Sequence, residues 1–220
     1  MRRSNAFLFS LSGLALALLA LTPVANAQIV VHDNFGPGDT YDNGTAWTES
    51  GLTAIVGTQS AGSGFTTAVS GNLFDISVAI GNVTGTNVAH VFLSDGTSGV
   101  PGTVLESWTI TNLPGLGSGA APTVLTSVLN PMLSAGTTYY LYEAEDGDTW
   151  NGWAWNTTGD VGLIFSGDNV NYSSDNTDPS IAYRVRIEGT AAVPEPGSAA
   201  LLAGMGLSGA GLLIRRKRAE

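Results

Sequence analysis

Leu73-Phe74-Asp75-Ile76-Ser77-Val78-Ala79-Ile80 is the stretch that decides the fold class. Leu73, Asp75, Ser77 and Ala79 lie on one face of an extended chain, and Phe74, Ile76, Val78 and Ile80 on the other. A period of two is what a strand imposes, because successive side chains point to opposite faces, so the second set is the expected core face. Downstream, Val88 to Leu93 repeats the pattern before the turn Ser94-Asp95-Gly96, and Val104 to Thr111 follows the turn Gly99-Val100-Pro101-Gly102. Further strands are expected at Thr123–Leu129, Thr137–Glu143, Trp150–Asn156, Val161–Phe165 and Ile181–Glu188. Upstream, Ile29-Val30-Val31, Ala46–Glu49 and Leu52–Gly57 read as strands, with Asp42-Asn43-Gly44 as a turn that accepts positive φ. Some ten strands, with turn signals every 8 to 14 residues, give an all-β fold, an antiparallel two-sheet β-sandwich of jelly-roll type. No repeat of about 20 to 50 residues points to a propeller or solenoid.

Both ends of the chain depart from this pattern. Arg2 and Arg3, the apolar run Phe7–Leu21 and the small-x-small site Ala25-Asn26-Ala27 read as a Sec-type signal peptide over residues 1–27, cut by signal peptidase after Ala27. At the other end, Val193-Pro194-Glu195-Pro196-Gly197 precedes an apolar run from Ser198 to Ile214 and then Arg215-Arg216-Lys217-Arg218. The seventeen residues 198–214 span about 25 Å as a helix, slightly less than a ~30 Å hydrocarbon core, which thinning or snorkelling accommodates. The four cations hold the cytoplasmic side, leaving Pro194-Glu195-Pro196 outside as an extended strip that two prolines keep from becoming helical. The expected organisation is therefore residues 1–27 signal peptide, 28–190 β-sandwich, and 191–220 a tail with transmembrane segment 198–214.

The order Pro-Glu-Pro, short apolar helix, basic terminus resembles the PEP-CTERM sorting signal of Gram-negative bacteria. The resemblance implies that an exosortase, a membrane-embedded cysteine transpeptidase, cuts near Pro194-Glu195-Pro196. The helix is then discarded, and the protein passes from a transient inner-membrane anchorage to the cell surface, outer membrane or extracellular matrix. The unprocessed alternative is an ordinary C-terminal anchor.

Removing the two end segments changes the charge picture. Six of the eight basic residues lie in them, leaving Arg184 and Arg186 against sixteen carboxylates between Asp33 and Glu188. So acidic a domain excludes nucleic acid as a partner, since neutralising phosphates needs clustered Lys and Arg. It also disfavours an anionic lipid surface, and leaves room for divalent cations. There is no cysteine, which removes disulfides, thiol catalysis and thiolate-bound zinc together.

A second resemblance covers nearly the whole region between the end segments. Asp33-Asn34-Phe35-Gly36-Pro37-Gly38, Val100-Pro101-Gly102-Thr103-Val104-Leu105-Glu106 and Trp150 to Asn156 look like the choice-of-anchor R domain family. Membership implies an exported all-β domain displayed through one of several anchoring tails, with no catalytic activity and no site residues to carry over.

Candidate chemistry is sparse. The two histidines, His32 and His90, fall in strands, and neither a G-x-S-x-G elbow nor an H-E-x-x-H helix accompanies them. Glu143 and Glu145 would lie roughly 7 Å apart on one side of a continued strand, and Glu49 with Glu106 could face a cleft, the separation a glycan hydrolase needs. In so acidic a chain, solvated surface is the simpler account. Glu143, Glu145, Asp146 and Asp148 around Gly147 offer hard oxygen donors for a structural Ca²⁺, although their spacing is not that of an EF-hand loop. Asp39, Asp42 and Asn43 form a second such group. Trp150, Trp153 and Trp155, with Asn151 and Asn156, form an aromatic cluster of the kind that grips sugar rings, unless the rings fill the core as Trp47 and Trp108 are expected to.

The sequence thus leads to a non-catalytic exported surface or matrix protein, processed by signal peptidase and an exosortase, passing through the inner membrane and associated with exopolysaccharide or biofilm. No cofactor is expected beyond the candidate calcium. The alternatives are a carbohydrate-binding module on the Trp150–Trp155 face and a glycan hydrolase with paired carboxylates.

Overall fold

The computed structural model describes residues 27–97 and 99–189, and among these fourteen strands and no helix occur. In chain order they are β1 Ala27–Asp33, β2 Ala46–Ser50, β3 Ser60–Thr66, β4 Gly71–Val78 and β5 Ile80–Thr84. The long hairpin β6 Val88–Thr97 and β7 Val100–Thr111 follows, then β8 Thr123–Thr126, β9 Met132–Leu133 and β10 Thr138–Glu143. The last four are β11 Trp150–Ala154, β12 Val161–Ser166, β13 Ser173–Pro179 and β14 Tyr183–Gly189. Gln28–Gly189 forms one compact unit. The expected signal-peptide helix, Ala25, the tripeptide Pro194-Glu195-Pro196, the apolar segment 198–214 and Arg215–Arg218 lie outside the described residues. Ala27 opens β1. No helix among the described residues is long and apolar enough to cross a membrane.

The all-β expectation holds, and the sheet count differs. Three antiparallel sheets are present: β1-β14-β4-β8 with β9 beside β4, β13-β12-β3-β10-β6-β7, and β2-β11-β5. The extra sheet arises at Ala79, where the deciding stretch breaks into β4 and β5. There the backbone leaves its ladder, with Ala79 N donating to Ala182 O at 3.4 Å, Ala154 N to Ala79 O at 2.9 Å and Ala182 N to Ala154 O at 2.9 Å. Three buried alanines meet at this crossing, where their single methyls let three backbones approach.

A bulge corrects the expected core face. The β4–β14 register steps from Asp75↔Arg186 to Leu73↔Ile187, so Phe74 has no partner opposite it. Leu73, Ile76 and Val78 are completely buried, while Phe74 stays half-buried beneath the Arg186 guanidinium, 5.5 Å from its ring centre. Leu73 therefore replaces Phe74 in the core.

Three local expectations fail for physical reasons. Leu52–Gly57 is a run of turns with Leu52 and Ile55 exposed, and the strand lies just after it, at β3. β3 is central in its sheet although it reads Ser-Ala-Gly-Ser-Gly-Phe-Thr, because its glycines admit close neighbours: a Cβ on Gly62 would sit 2.4 Å from Leu141 O. Val100 and Pro101, expected in a turn, belong to β7. Asp42-Asn43-Gly44 does turn, but Asp42 Oδ1 makes the turn by accepting the Gly44 N–H at 2.7 Å, and no positive φ is used there.

One hydrophobic cluster joins all three sheets. Leu73, Ile76, Val185 and Ile187 come from the first sheet, Phe65, Val91, Leu93 and Leu141 from the second, and Ile80 and Trp153 from the third. The second sheet thus faces the other two across a shared interior, and the third sheet's inner face meets the end of β10.

Candidate functional site

At that meeting the interior turns polar. In β2 and β11, pairing sets Trp47 opposite Trp153 and Glu49 opposite Asn151, so strand alternation sends all four toward the same inner face. Glu143, the last residue of β10, comes from the facing sheet. Glu49, Glu143 and Asn151 are fully buried and Glu145 is 1 % exposed. Burial this complete is rare for glutamate without a cationic partner.

Two of the three carboxylates have an incomplete set of donors. Glu49 Oε2 accepts the Trp153 N–H at 2.9 Å, and Glu143 Oε1 accepts Asn151 Nδ2 at 2.7 Å. The remaining oxygens, Glu49 Oε1 and Glu143 Oε2, are buried without any hydrogen-bond partner. Glu145 completes the β6 edge where β10 stops: Ala144 N donates to His90 O at 3.2 Å, and Glu145 Oε1 accepts the His90 N–H at 2.5 Å. Its Oε2 lies 2.9 Å from His90 Nδ1 on the half-exposed rim. Asn82 Nδ2 donates to Asn151 Oδ1 at 3.1 Å, extending the polar seam into β5.

The seam is closed from outside by two backbone runs. Gly51 N donates to Thr149 O at 3.0 Å and Thr53 N to Gly147 O at 2.8 Å. Gly51 is required there, since a Cβ would lie 2.3 Å from the Asp146 carbonyl carbon.

Burial pushes the Glu49 carboxyl well above the ordinary carboxylate range, the Trp153 amide opposes that, and the Glu145 charge adds to it. Burial also raises Glu143 well above its ordinary value, reinforced by the charges of Glu49 and Glu145 and the close approach of the Glu145 carboxylate, against the Asn151 hydrogen bond. Neither arginine relieves this crowding. Arg184 is held by Asp33 at 2.7 Å and by Asp39, and Arg186 by both oxygens of Asp75. Apart from His90 against Glu145 at the rim, no basic side chain among the described residues reaches the seam, and Glu49 and Glu143 are left to a proton or a bound cation.

The other sequence candidates are dispersed. Glu143 and Glu145 point inward while Asp146 and Asp148 are exposed, so the four do not surround one point, and Asp148 is bonded to Thr86 Oγ1 at 2.7 Å. The solvated-surface reading of Glu143 and Glu145 is overturned by their burial. Glu49 and Glu106 do not form a pair, since Glu106 on β7 is occupied with the Ser127–Leu129 turn. Asp39 is engaged with Arg184, and Asp42 with its own turn. His32 stacks on Tyr183 with ring centres 4.2 Å apart, its Nε2 buried without a hydrogen-bond partner and 3.8 Å from Asp160.

The three tryptophans also separate. Trp153 is fully buried, its Nε1 donating to Ala182 O at 2.9 Å, so it presents no face to solvent. Trp150 and Trp155 are half-buried, and Trp155 lies against Trp47 with ring centres 5.5 Å apart. Trp47 lines a groove of about 510 Å³ together with Thr48, Gln59, Phe165 and Ser166. Sequence reasoning missed the inclusion of Glu49 in the seam. The available signal was the alternation Trp47-Thr48-Glu49, which places Glu49 on the same face as an aromatic ring.

A search of the curated proteins finds no match to the chain. Residues 192–218 match the PEP-CTERM protein-sorting motif, the segment recognised by exosortase. The chain is therefore an exported, membrane-transiting protein of the exosortase-sorted kind found in Gram-negative bacteria.

Proposed function

We propose that this protein is a non-catalytic component of the bacterial surface or extracellular matrix, delivered by exosortase and held among exopolysaccharide. The observation that carries the reading is the sorting motif at residues 192–218 joined to a compact acidic β domain, Gln28–Gly189. We read that domain as a two-layer sandwich of jelly-roll type, the first and third sheets acting as one bent layer hinged at Ala79. Kinship with choice-of-anchor R domains belongs to the same reading. Lysine is absent from the domain and its two arginines are committed to carboxylates, so its surface repels polyanions such as nucleic acid.

The test is made on the exported product. Replacing Pro194-Glu195-Pro196 by alanines, or Arg215–Arg218 by neutral residues, leaves unprocessed chain in the inner membrane, read by fractionation and intact-mass measurement. A wild-type mature polypeptide still ending in Ala219-Glu220 would overturn the assignment.

A second reading is favoured by the groove beside Trp47, where half-buried aromatic rings adjoin Thr48 and Gln59 in a space of about 510 Å³. A glycan bound there quenches tryptophan emission, and Trp47→Ala removes the quenching. Unchanged emission across a panel of matrix polysaccharides would dismiss it.

A further inference from the structure

We propose that Glu49, Glu143 and Glu145 bind a hard divalent cation, calcium by the chemistry of its donors, in the seam between β2–β11 and the end of β10, with the Asn151 amide N–H bracing Glu143 from the side. Three independent observations converge on it. Glu49 on β2 and Glu143 on β10 come from facing sheets, Glu145 follows two residues after β10 ends, and all three are removed from water together. Two of their oxygens, Glu49 Oε1 and Glu143 Oε2, are buried with nothing to accept from. Among the described residues, no arginine pairs with any of the three, and the basic group in contact with them is His90, on Glu145 alone.

The donor set selects the ion. Carboxylate oxygens without sulfur suit calcium or magnesium, and the absence of cysteine leaves no thiolate ligand in the chain. Calcium is favoured because it tolerates irregular geometry and six to eight oxygens, whereas magnesium demands a near-ideal octahedron. Among the described residues, no group of three acidic or imidazole side chains is already disposed to hold a metal ion. The ion therefore draws Glu49 Oε1 and Glu143 Oε2 inward by side-chain rotation, while Asn151 keeps its Nδ2 on Val88 O at 2.6 Å and its Oδ1 on Asn82 Nδ2. This site is distinct from the exposed Asp146 and Asp148, which lie on the far side of the Gly51–Thr149 closure. The inference relies on export only for the supply, since extracellular modules bind calcium at about 10⁻⁴–10⁻³ M.

The experiment uses the purified exported chain, stripped with EGTA and titrated with CaCl₂ at neutral pH. Calorimetry counts bound ions and thermal melting reads stability. One calcium per chain is expected, with the melting temperature rising about 3–6 °C at ten times Kd. Glu49→Gln and Glu143→Gln each abolish that rise. In EGTA the same variants melt at or above the wild type, because each replaces a carboxyl whose charged form burial disfavours with a neutral amide of the same shape. Asp146→Asn and Asp148→Asn leave the calcium response intact.

A wild-type melt unmoved by calcium, or a response lost in the Asp146 and Asp148 variants but kept in Glu49→Gln, overturns the proposal. If Glu49→Gln does not fold, the wild-type titration and Glu143→Gln still decide. An anchored, unprocessed product with an intact calcium response would refute the sorting reading alone.

Discussion

Glu106 tests whether a buried carboxylate in this fold can be held by neutral donors alone. It sits on β7 opposite Leu93, is 3 % exposed, and holds the turn after β8. Its Oε2 accepts from Ser127 Oγ at 2.5 Å, and its Oε1 accepts the amides of Val128 at 2.6 Å and Leu129 at 3.1 Å. Asn130 N then donates to Ser127 Oγ at 3.0 Å, and Asn130 takes φ 47° to bring the chain back toward β9. Glu106→Ala deletes all three acceptor contacts. Bonds to a charged acceptor contribute about 1.5–3 kcal/mol each. Val128 and Leu129 are 78 % and 68 % exposed, so water replaces part of what their amides lose. Ser127, at 8 % exposure, is less easily compensated. A net loss of about 3 kcal/mol follows, or about 6–12 °C in melting temperature at this size. Glu106→Gln keeps one carbonyl oxygen for both amides and presents its NH₂ to Ser127 Oγ, which reverses role, so the loss is about 1 kcal/mol. Urea denaturation midpoints of the two variants give the comparison. A Gln variant as damaged as the Ala variant, or an Ala variant within about 0.5 kcal/mol of wild type, would refute the acceptor argument.

Other perturbations separate the remaining parts. Trp153→Ala, at a fully buried ring bonded to Ala182 O, should cost about 3–5 kcal/mol, whereas Trp155→Ala at the half-buried rim costs clearly less, both read by chemical denaturation. Gly51→Ala forces a methyl to 2.3 Å from the Asp146 carbonyl carbon and should cost about 1–3 kcal/mol, with loosened amide-exchange protection in the Gly51–Thr149 closure. His32 has its pKa lowered by burial, against the opposing charges of Asp160 and Asp33. The unfolded chain therefore takes up a proton near pH 6.5 that the folded chain refuses, and stability falls as pH drops below that value, with a slope of at most ~1.4 kcal/mol per pH unit. His32→Phe keeps the stack on Tyr183 and should flatten that acid-side slope in a pH series of melts.

The sequence made the fold class legible because period-two alternation is a local property. It is strongest where one face is buried, as in Val88–Leu93, whose Ala89, Val91 and Leu93 are all buried. β3 and β13 escaped notice for opposite reasons. β3 is central but built of small residues, since close approach of β10 and β12 leaves little room, and its partners supply the apolar surface. β13 is an edge strand with a polar sequence, Ser173–Pro179, which needs no buried face. The Phe74 bulge was invisible because it depends on the register of β14, more than a hundred residues away. The candidate site was legible only in half: Glu143 and Glu145 stood out as a dense acidic run, and their partner Glu49 lies far upstream on a strand that pairing with β11 brings over them.

Charge ties the domain's stability to its destination. The first sheet neutralises its carboxylates with the only two arginines of the domain: Arg186 clamps Asp75 across β4 and β14, and Arg184 gathers Asp33 and Asp39. With no cysteine and no lysine in the domain, the third sheet has neither a covalent staple nor a cationic side chain with which to settle Glu49 and Glu143. Apolar replacement of such buried groups usually leaves stability unchanged or improved. The two carboxylate oxygens left without a partner here therefore fit a group whose partner comes from solution, where free calcium is plentiful outside the cell and scarce within it. The measurable consequence is a calcium-dependent rise in protease resistance of the exported chain, absent in Glu143→Gln. Equal resistance of the wild type in EGTA and in millimolar calcium would break the link.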